Sequence, residues 1–201
     1  MILNNFLGRN FSAPNDVRQH PLTGDLWFTD AQYGFYQSFN VAPSIPSQIY
    51  RFSPRTGEIA VVAADFDQAN GLEFSPDLKT LYVADTGAFH FNLNGTRPAT
   101  IYAFDIEGGK KLSGRTTFAY SDTGFPDGVH TDTQGNVWAG CGDGIHVWNA
   151  AGRLIGKVWA GVTVNNFAFL PGKVLVFGNA RLWVVEGLKA VGREVGRDFG
   201  V

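Results

Sequence analysis

Sulfur is nearly absent from this 201-residue chain, which has one cysteine and one methionine. A single thiol, Cys141, excludes an internal disulfide and any cysteine-rich zinc site. Flanked by glycines in an apolar stretch, it reads as a buried core residue. Charge is also sparse: 16 Lys and Arg against 18 Asp and Glu give a net charge of −2, with no basic cluster. That argues against nucleic acid and an anionic membrane surface as partners. The most basic stretch is the tail 187–201, GLKAVGREVGRDFGV, which reads as a frayed end. No run approaches the ~18 apolar residues of a membrane helix. The opening MILNNFLGRNF has no basic region, long apolar core or small-residue cleavage site. The chain as written is therefore expected to be cytoplasmic, with secretion left open for a longer form.

Several chemistries are missing too. His20, His90, His130 and His146 share no zinc-ligand spacing. There is no G-x-S-x-G nucleophile elbow. GCGDG has the glycines of a phosphate loop but no helix follows, so it reads as a hairpin turn. No segment sustains an i, i+3, i+4, i+7 apolar pattern, whereas apolar–polar alternation runs throughout.

What is plentiful is glycine, 25 residues, and phenylalanine, 17, in a chain that is 44% hydrophobic. These suit many short strands joined by tight turns, in one domain large enough to bury a substantial core. An arrangement recurs: Asn or Asp, a short alternating strand, a turn at Pro, Gly or Asp, then a second hydrophobic strand. Asn15, Asn70 and Asp127 open three copies, 55 and 57 residues apart (70 − 15 and 127 − 70), and Asn166 opens a weaker fourth. A period of this size holding four strands is the mark of an all-β propeller blade. The reading is one β-propeller domain over 1–201, with full blades at 15–66, 70–121 and 127–161 and a partial blade at 165–186. Met1–Leu7, within 1–8, reads as a lone strand. Either that strand completes the last blade of a closed four-bladed ring, or the chain is an arc of a larger propeller, which would expose blade faces and favour self-association.

The stretches PNDV…GDLWFTD, ANGLEFSPDLKTLYVADT and FPDGVHTDTQGNVWAGCGDGIHVWN resemble the gluconolactonase / senescence-marker-protein family, especially its fungal lactonohydrolase-like members, over roughly Ile2 to Glu186. The resemblance implies a six-bladed propeller that holds a divalent cation, usually calcium, at the mouth of its channel and hydrolyses lactones. Against that pattern two N-terminal blades, and with them a glutamate ligand, are expected to lie outside this chain. Glu58, Glu107 and Glu186 offer no substitute, and Glu73, though nearer the channel, reads as part of a strand's polar face.

In a propeller the innermost strand of each blade lines the channel, so residues just ahead of these strands stand at its mouth. Asn15, Asn70 and Asp127 share that phase, and their oxygens are ligands a hard cation takes; Asn166 is held in reserve. Gly71 and Gly128 are read as letting the backbone bend sharply beside the ion. Each dipeptide is also ordinary turn chemistry; the shared phase and the resemblance favour a site. By resemblance Asp127 is both ligand and general base, with Asn15 and Tyr33 contacting substrate. Tyr33, Phe35 and Tyr36 either wall a pocket or pack between blades, and His130 either reaches the channel or packs in the core. The expected function is thus calcium-dependent hydrolysis of a small-molecule lactone or ester, or the C-terminal portion of such an enzyme. The alternative is a propeller remnant or binding module without catalysis.

Overall fold

The computed structural model describes residues 3–200, and its regular structure is almost entirely strand. A short hairpin, β1 (Asn5–Phe6) and β2 (Arg9–Asn10), precedes four antiparallel sheets. The first sheet runs β3 (Ala13–Gln19), β4 (Leu26–Ala31), β5 (Gln48–Phe52) and β6 (Ile59–Ala63), with a four-residue helix α1 (Tyr33–Tyr36) after β4. The second runs β7 (Ala69–Phe74), β8 (Thr80–Asp85), β9 (Thr100–Glu107) and β10 (Lys111–Tyr120). The third holds β11 (Val129–Thr131), β12 (Val137–Cys141), β13 (Gly144–Trp148) and β14 (Leu154–Trp159). The last has three strands, β15 (Asn166–Leu170), β16 (Lys173–Gly178) and β17 (Arg181–Glu186), and is followed by α2 (Arg193–Phe199). Neither helix is long and apolar enough to cross a membrane. Four blades follow one another as a propeller, each strand pairing only with its neighbours in sequence.

Local chemistry explains why the chain turns where it does. In the second blade Ser75 Oγ donates to Asp77 Oδ1 (2.6 Å) and the Leu78 amide returns to Ser75 O (3.0 Å). That closes the hairpin between β7 and β8 with side-chain turn chemistry. The strands then stack through alternate residues. Trp27, Ile49, Leu72, Phe74 and Leu81 form one fully buried core between the first two blades. Ile101, Val129, Val137 and Trp148 join the second blade to the third, and Ile145, Phe167 and Val174 join the third to the fourth. Each such side chain contributes roughly 1.5–3 kcal/mol by leaving water, so the blades are held by face-to-face burial.

Three sequence expectations change. The N-terminal strand does not complete the last blade: residues 5–10 form their own hairpin, and Phe6 packs edge-on against Tyr50 of the first blade (5.3 Å). Residues 1 and 2 of the expected strand lie outside the described residues. The tail is not frayed over 193–199; it is a helix whose Arg193 is buried. Gly71 and Gly128 have no left-handed backbone, so their role is not a sharp bend. A Cβ on Gly71 would sit 2.3 Å from Asp127 O and 2.6 Å from Val129 N. Glycine stands there because neighbouring inner strands touch backbone to backbone. Gly71→Ala should therefore lower stability by roughly 1–3 kcal/mol through overpacking. Gly156→Ala, on an exposed outer strand with open space around it, should be neutral or slightly stabilising. Urea melts of the two variants test this; equal effects would contradict the contact.

Candidate functional site

Each inner strand carries a surplus residue near its start. Pairing of β3 steps from Pro14↔Asp30 to Val17↔Phe28, leaving Asn15 and Asp16 against Thr29 alone. Pairing of β7 steps from Ala69↔Asp85 to Leu72↔Val83, leaving Asn70 and Gly71 against Ala84. Ahead of β11, the Asp127 amide donates to Gly140 O (2.9 Å) and the Gly140 amide to Gly128 O (3.0 Å), again two residues against one. Such bulges interrupt the ladder and re-aim a side chain. Asn15 and Asn70 thus lie inside their strands rather than ahead of them, while Asp127 does precede β11.

The bulges are pinned by carboxylates that the sequence reading passed over. Asp30 accepts the amides of Ser12 (3.0 Å) and Ala13 (2.7 Å), and Asp85 accepts those of Asp67 (3.1 Å) and Gln68 (2.8 Å). Both close a second strand, in LWFTD and LYVAD, so the signal was a repeated terminal Asp. Burial pushes both carboxyls above their ordinary range.

The re-aimed side chains converge. Asn15, Asn70, Asp127 and Asn165 line one cavity of about 270 Å³, together with Tyr33 and Tyr36. In the fourth blade the residue in phase is Asn165, whose amide reaches Phe177 O (3.0 Å). Asn166, one residue on, turns away to His130 Nε2 (3.2 Å). Asn165 Nδ2 donates to Asp127 Oδ2 (3.0 Å), and Asn70 Nδ2 donates to Tyr33 OH (3.0 Å). Tyr33 OH in turn donates to Gln68 O (3.4 Å). Part of Asp127 still meets solvent in the cavity, yet its enclosure pushes the carboxyl up to about 6; hydrogen bonds from Asn165 and Asn70 act the other way, and Asp16 adds to the rise. Burial also raises Tyr33, keeping its phenol neutral. Of the aromatic trio, Tyr33 and Tyr36 line the cavity whereas Phe35 is exposed and packs on Tyr36 (5.7 Å). No glutamate lines the cavity among the described residues, and no three His, Cys, Asp or Glu side chains there cluster as metal ligands.

Residues 2–176 match the family model described as the SMP-30/Gluconolactonase/LRE-like region. The chain belongs to that family. Its relatives include the lactonohydrolase oryL of Aspergillus oryzae, 36% identical over 84% of this chain and 42% of that protein. The gluconolactonase of Zymomonas mobilis is 28% identical over 79% of this chain and 44% of its own length. Among solved structures, a gluconolactonase from Xanthomonas campestris superposes with a TM-score of 0.81 at 28% identity, covering 92% of this chain and 60% of that one. The chain therefore spans about two fifths of these curated relatives' length.

Deeper in the channel this family member changes character. Glu73, fully buried, accepts from Arg18 Nε (3.1 Å) and Arg193 of α2 (2.7 Å). It is thus an ion-paired channel residue, not part of a polar strand face, while Glu58 pairs with Arg51 in an outer turn (3.4 Å). His130 does reach the channel: it packs on Phe167 (4.6 Å), and burial pushes it down to about 4. Cys141 is fully buried, its thiol pushed up to about 12 by burial.

Asp127 carries a consequence for stability. A carboxyl raised from its ordinary value near 3.9 to about 6 is stabilising when protonated. That contribution is present at acid pH and is lost as pH rises through the folded value. Asp127→Asn should therefore be more stable than wild type at pH 8, with the difference vanishing toward pH 4. Urea midpoints across that range measure it; a variant less stable than wild type at alkaline pH would contradict the enclosure.

Proposed function

We propose that the cavity is the reaction centre of a cation-assisted lactone hydrolase. One observation carries this reading: Asp127, a carboxyl poised near neutrality, sits among three carboxamides in a cavity sized for a small ring. A general base works best when its pKa lies near the working pH. Resemblance to lactonohydrolases and gluconolactonases supports the same reaction class, by likeness.

The donor set fits a hard cation in kind. The Asp127 carboxyl, Asn70 and Asn15 all border the cavity, and among the described residues no hydrogen bond reaches Asn70 Oδ1 or the Asn15 side chain. Those oxygens would hold the ion, with calcium favoured by its preference for carboxylate and carbonyl ligands. Bound there, a divalent cation polarises the lactone carbonyl and acidifies a neighbouring water. With a single carboxylate the site should be weak, at about millimolar affinity.

The protein's own residues do the rest. Ionised Asp127 takes a proton from the attacking water, and Asn165 fixes its carboxylate through Oδ2. Tyr33, neutral at working pH, fixes the Asn70 amide so that its oxygen faces the substrate or ion. Asn15, at the open side, contacts the substrate. Asp127→Asn should lower kcat on δ-valerolactone by roughly 10²–10⁴-fold and weaken calcium binding, whereas Tyr33→Phe should raise KM more than it lowers kcat. Titration of released acid and calorimetry with calcium chloride measure these. Undiminished hydrolysis by Asp127→Asn would contradict the base. Calcium binding by a chain that hydrolyses nothing would favour the binding-module reading, which the single carboxylate also suits.

A further inference from the structure

The cavity wall also holds a histidine backed by a carboxylate. His90 lies in the loop between β8 and β9 and lines the cavity. His90 Nε2 is 2.7 Å from Asp67 Oδ1, and the imidazole face lies against Tyr36, with ring centroids 4.4 Å apart. Two features hold the carboxylate in place. The Asp67 amide donates to Asp85 Oδ2 (3.1 Å), and Gly87 packs so closely that a Cβ there would lie 2.6 Å from Asp67 Cβ. The loop is also folded on itself: Asn94 N–H donates to Ala88 O (2.7 Å), and His90 N–H to Asn92 O (3.3 Å). The imidazole is thus fixed at one edge and one face. Among the described residues no hydrogen bond reaches Nδ1, and Nδ1 is not one of the buried orphaned atoms.

A cavity-lining histidine with a carboxylate on one ring nitrogen and no hydrogen bond on the other has the arrangement by which an imidazole is oriented for proton transfer. Hydrolysis of a lactone needs two proton transfers: one from the attacking water, and one to the ring oxygen that leaves as the carbonyl–oxygen bond breaks. Asp127 can serve the first. We propose that His90, oriented by Asp67, serves the second as the acid that protonates the leaving alkoxide. This rests on the lactonase reading of the cavity. Water's oxygen bonds to the carbonyl carbon and its proton passes to Asp127. The bond from that carbon to the ring oxygen breaks, and the proton on His90 Nδ1 passes to the departing oxygen, giving the hydroxy acid. Proton exchange with solvent returns one proton to His90 and removes one from Asp127. Asp67 is a positioning residue, holding Nε2–H so that Nδ1 faces the substrate.

Leaving-group dependence separates this role from a structural brace. δ-Valerolactone expels an alkoxide that needs a proton; 4-nitrophenyl acetate expels a stabilised phenolate that does not. His90→Gln in the full chain should lower kcat/KM for the lactone by about 10²-fold or more and for the aryl ester by less than about threefold. Asp67→Asn should show the same selectivity with a smaller loss. Equal losses on both substrates, or none on the lactone, would overturn the assignment while leaving the lactonase reading intact. Wild type inactive on both would overturn that reading and this one with it. A measurement on the unmodified chain guards against variants that fail to fold. Nitrogen-15 NMR of the neutral imidazole in alkaline buffer should report Nε2–H with a bare Nδ1, and the opposite tautomer would overturn the proposal.

Discussion

Everything at the channel mouth depends on how closely adjacent inner strands approach one another. The Gly71 amide donates to Asp127 O (3.2 Å), and the Gly128 amide donates to Asn165 O (2.8 Å). These bonds run from bulge to bulge across blade boundaries. They fix where Asn70, Asp127 and Asn165 stand relative to one another more directly than any side-chain contact does. The side chains of the first blade complete the chain of contacts: Thr29 Oγ1 donates to Asn70 O (2.9 Å), and the Leu72 amide donates to Asp16 Oδ2 (3.2 Å). A methyl group at Gly71 would meet the backbone of Asp127 and Val129, so the site and the blade spacing are one constraint.

The channel separates two kinds of charge. Asp127 is enclosed without a cation beside it and is therefore free to titrate near neutrality. Glu73, deeper and fully buried, is held by two guanidinium groups. A buried charge with partners on both oxygens is committed to structure, because removing either partner leaves it uncompensated. Arg193 reaches Glu73 from α2, so the segment after the last strand is tied to the inner strand of the second blade. At the mouth, by contrast, a carboxyl without a cationic partner and His90 line one small cavity.

Most of the architecture was legible because a propeller repeats. Alternation and turn residues placed blades at 70–121 and 127–161, and the structure has four-stranded sheets there, running from Ala69 to Tyr120 and from Val129 to Trp159. The shared phase brought Asn15, Asn70 and Asp127 to one cavity, as their spacing implied. What was hidden is what depends on a single residue of register or on distant parts of the chain. Asn166 was read in phase because it stands before an apolar strand, but the bulge counts two residues, and the pair Asp127-Gly128 corresponds to Asn165-Asn166. Glu73 reads from sequence as part of a strand's polar face, and its ion pairs are hidden because the partners lie 55 and 120 residues away. The helix of the tail has no local signature, because its anchors lie far away in sequence: Arg193 pairs with Glu73, and Val191 O accepts from the Thr133 amide (2.8 Å). His90 was dismissed for lack of zinc spacing, although its partner Asp67 is a carboxylate 23 residues upstream.

The central claim is that blade geometry encloses one carboxyl at the channel mouth, on a cavity that a hard cation can enter. Carbon-13 NMR of the Asp127 carboxyl, followed through pH with and without calcium chloride, tests it most directly. The account predicts a midpoint near 6 in the free protein and a shift toward acid when calcium is added at about millimolar concentrations. A midpoint near the ordinary 3.9 of an exposed aspartate, unmoved by calcium, would contradict it.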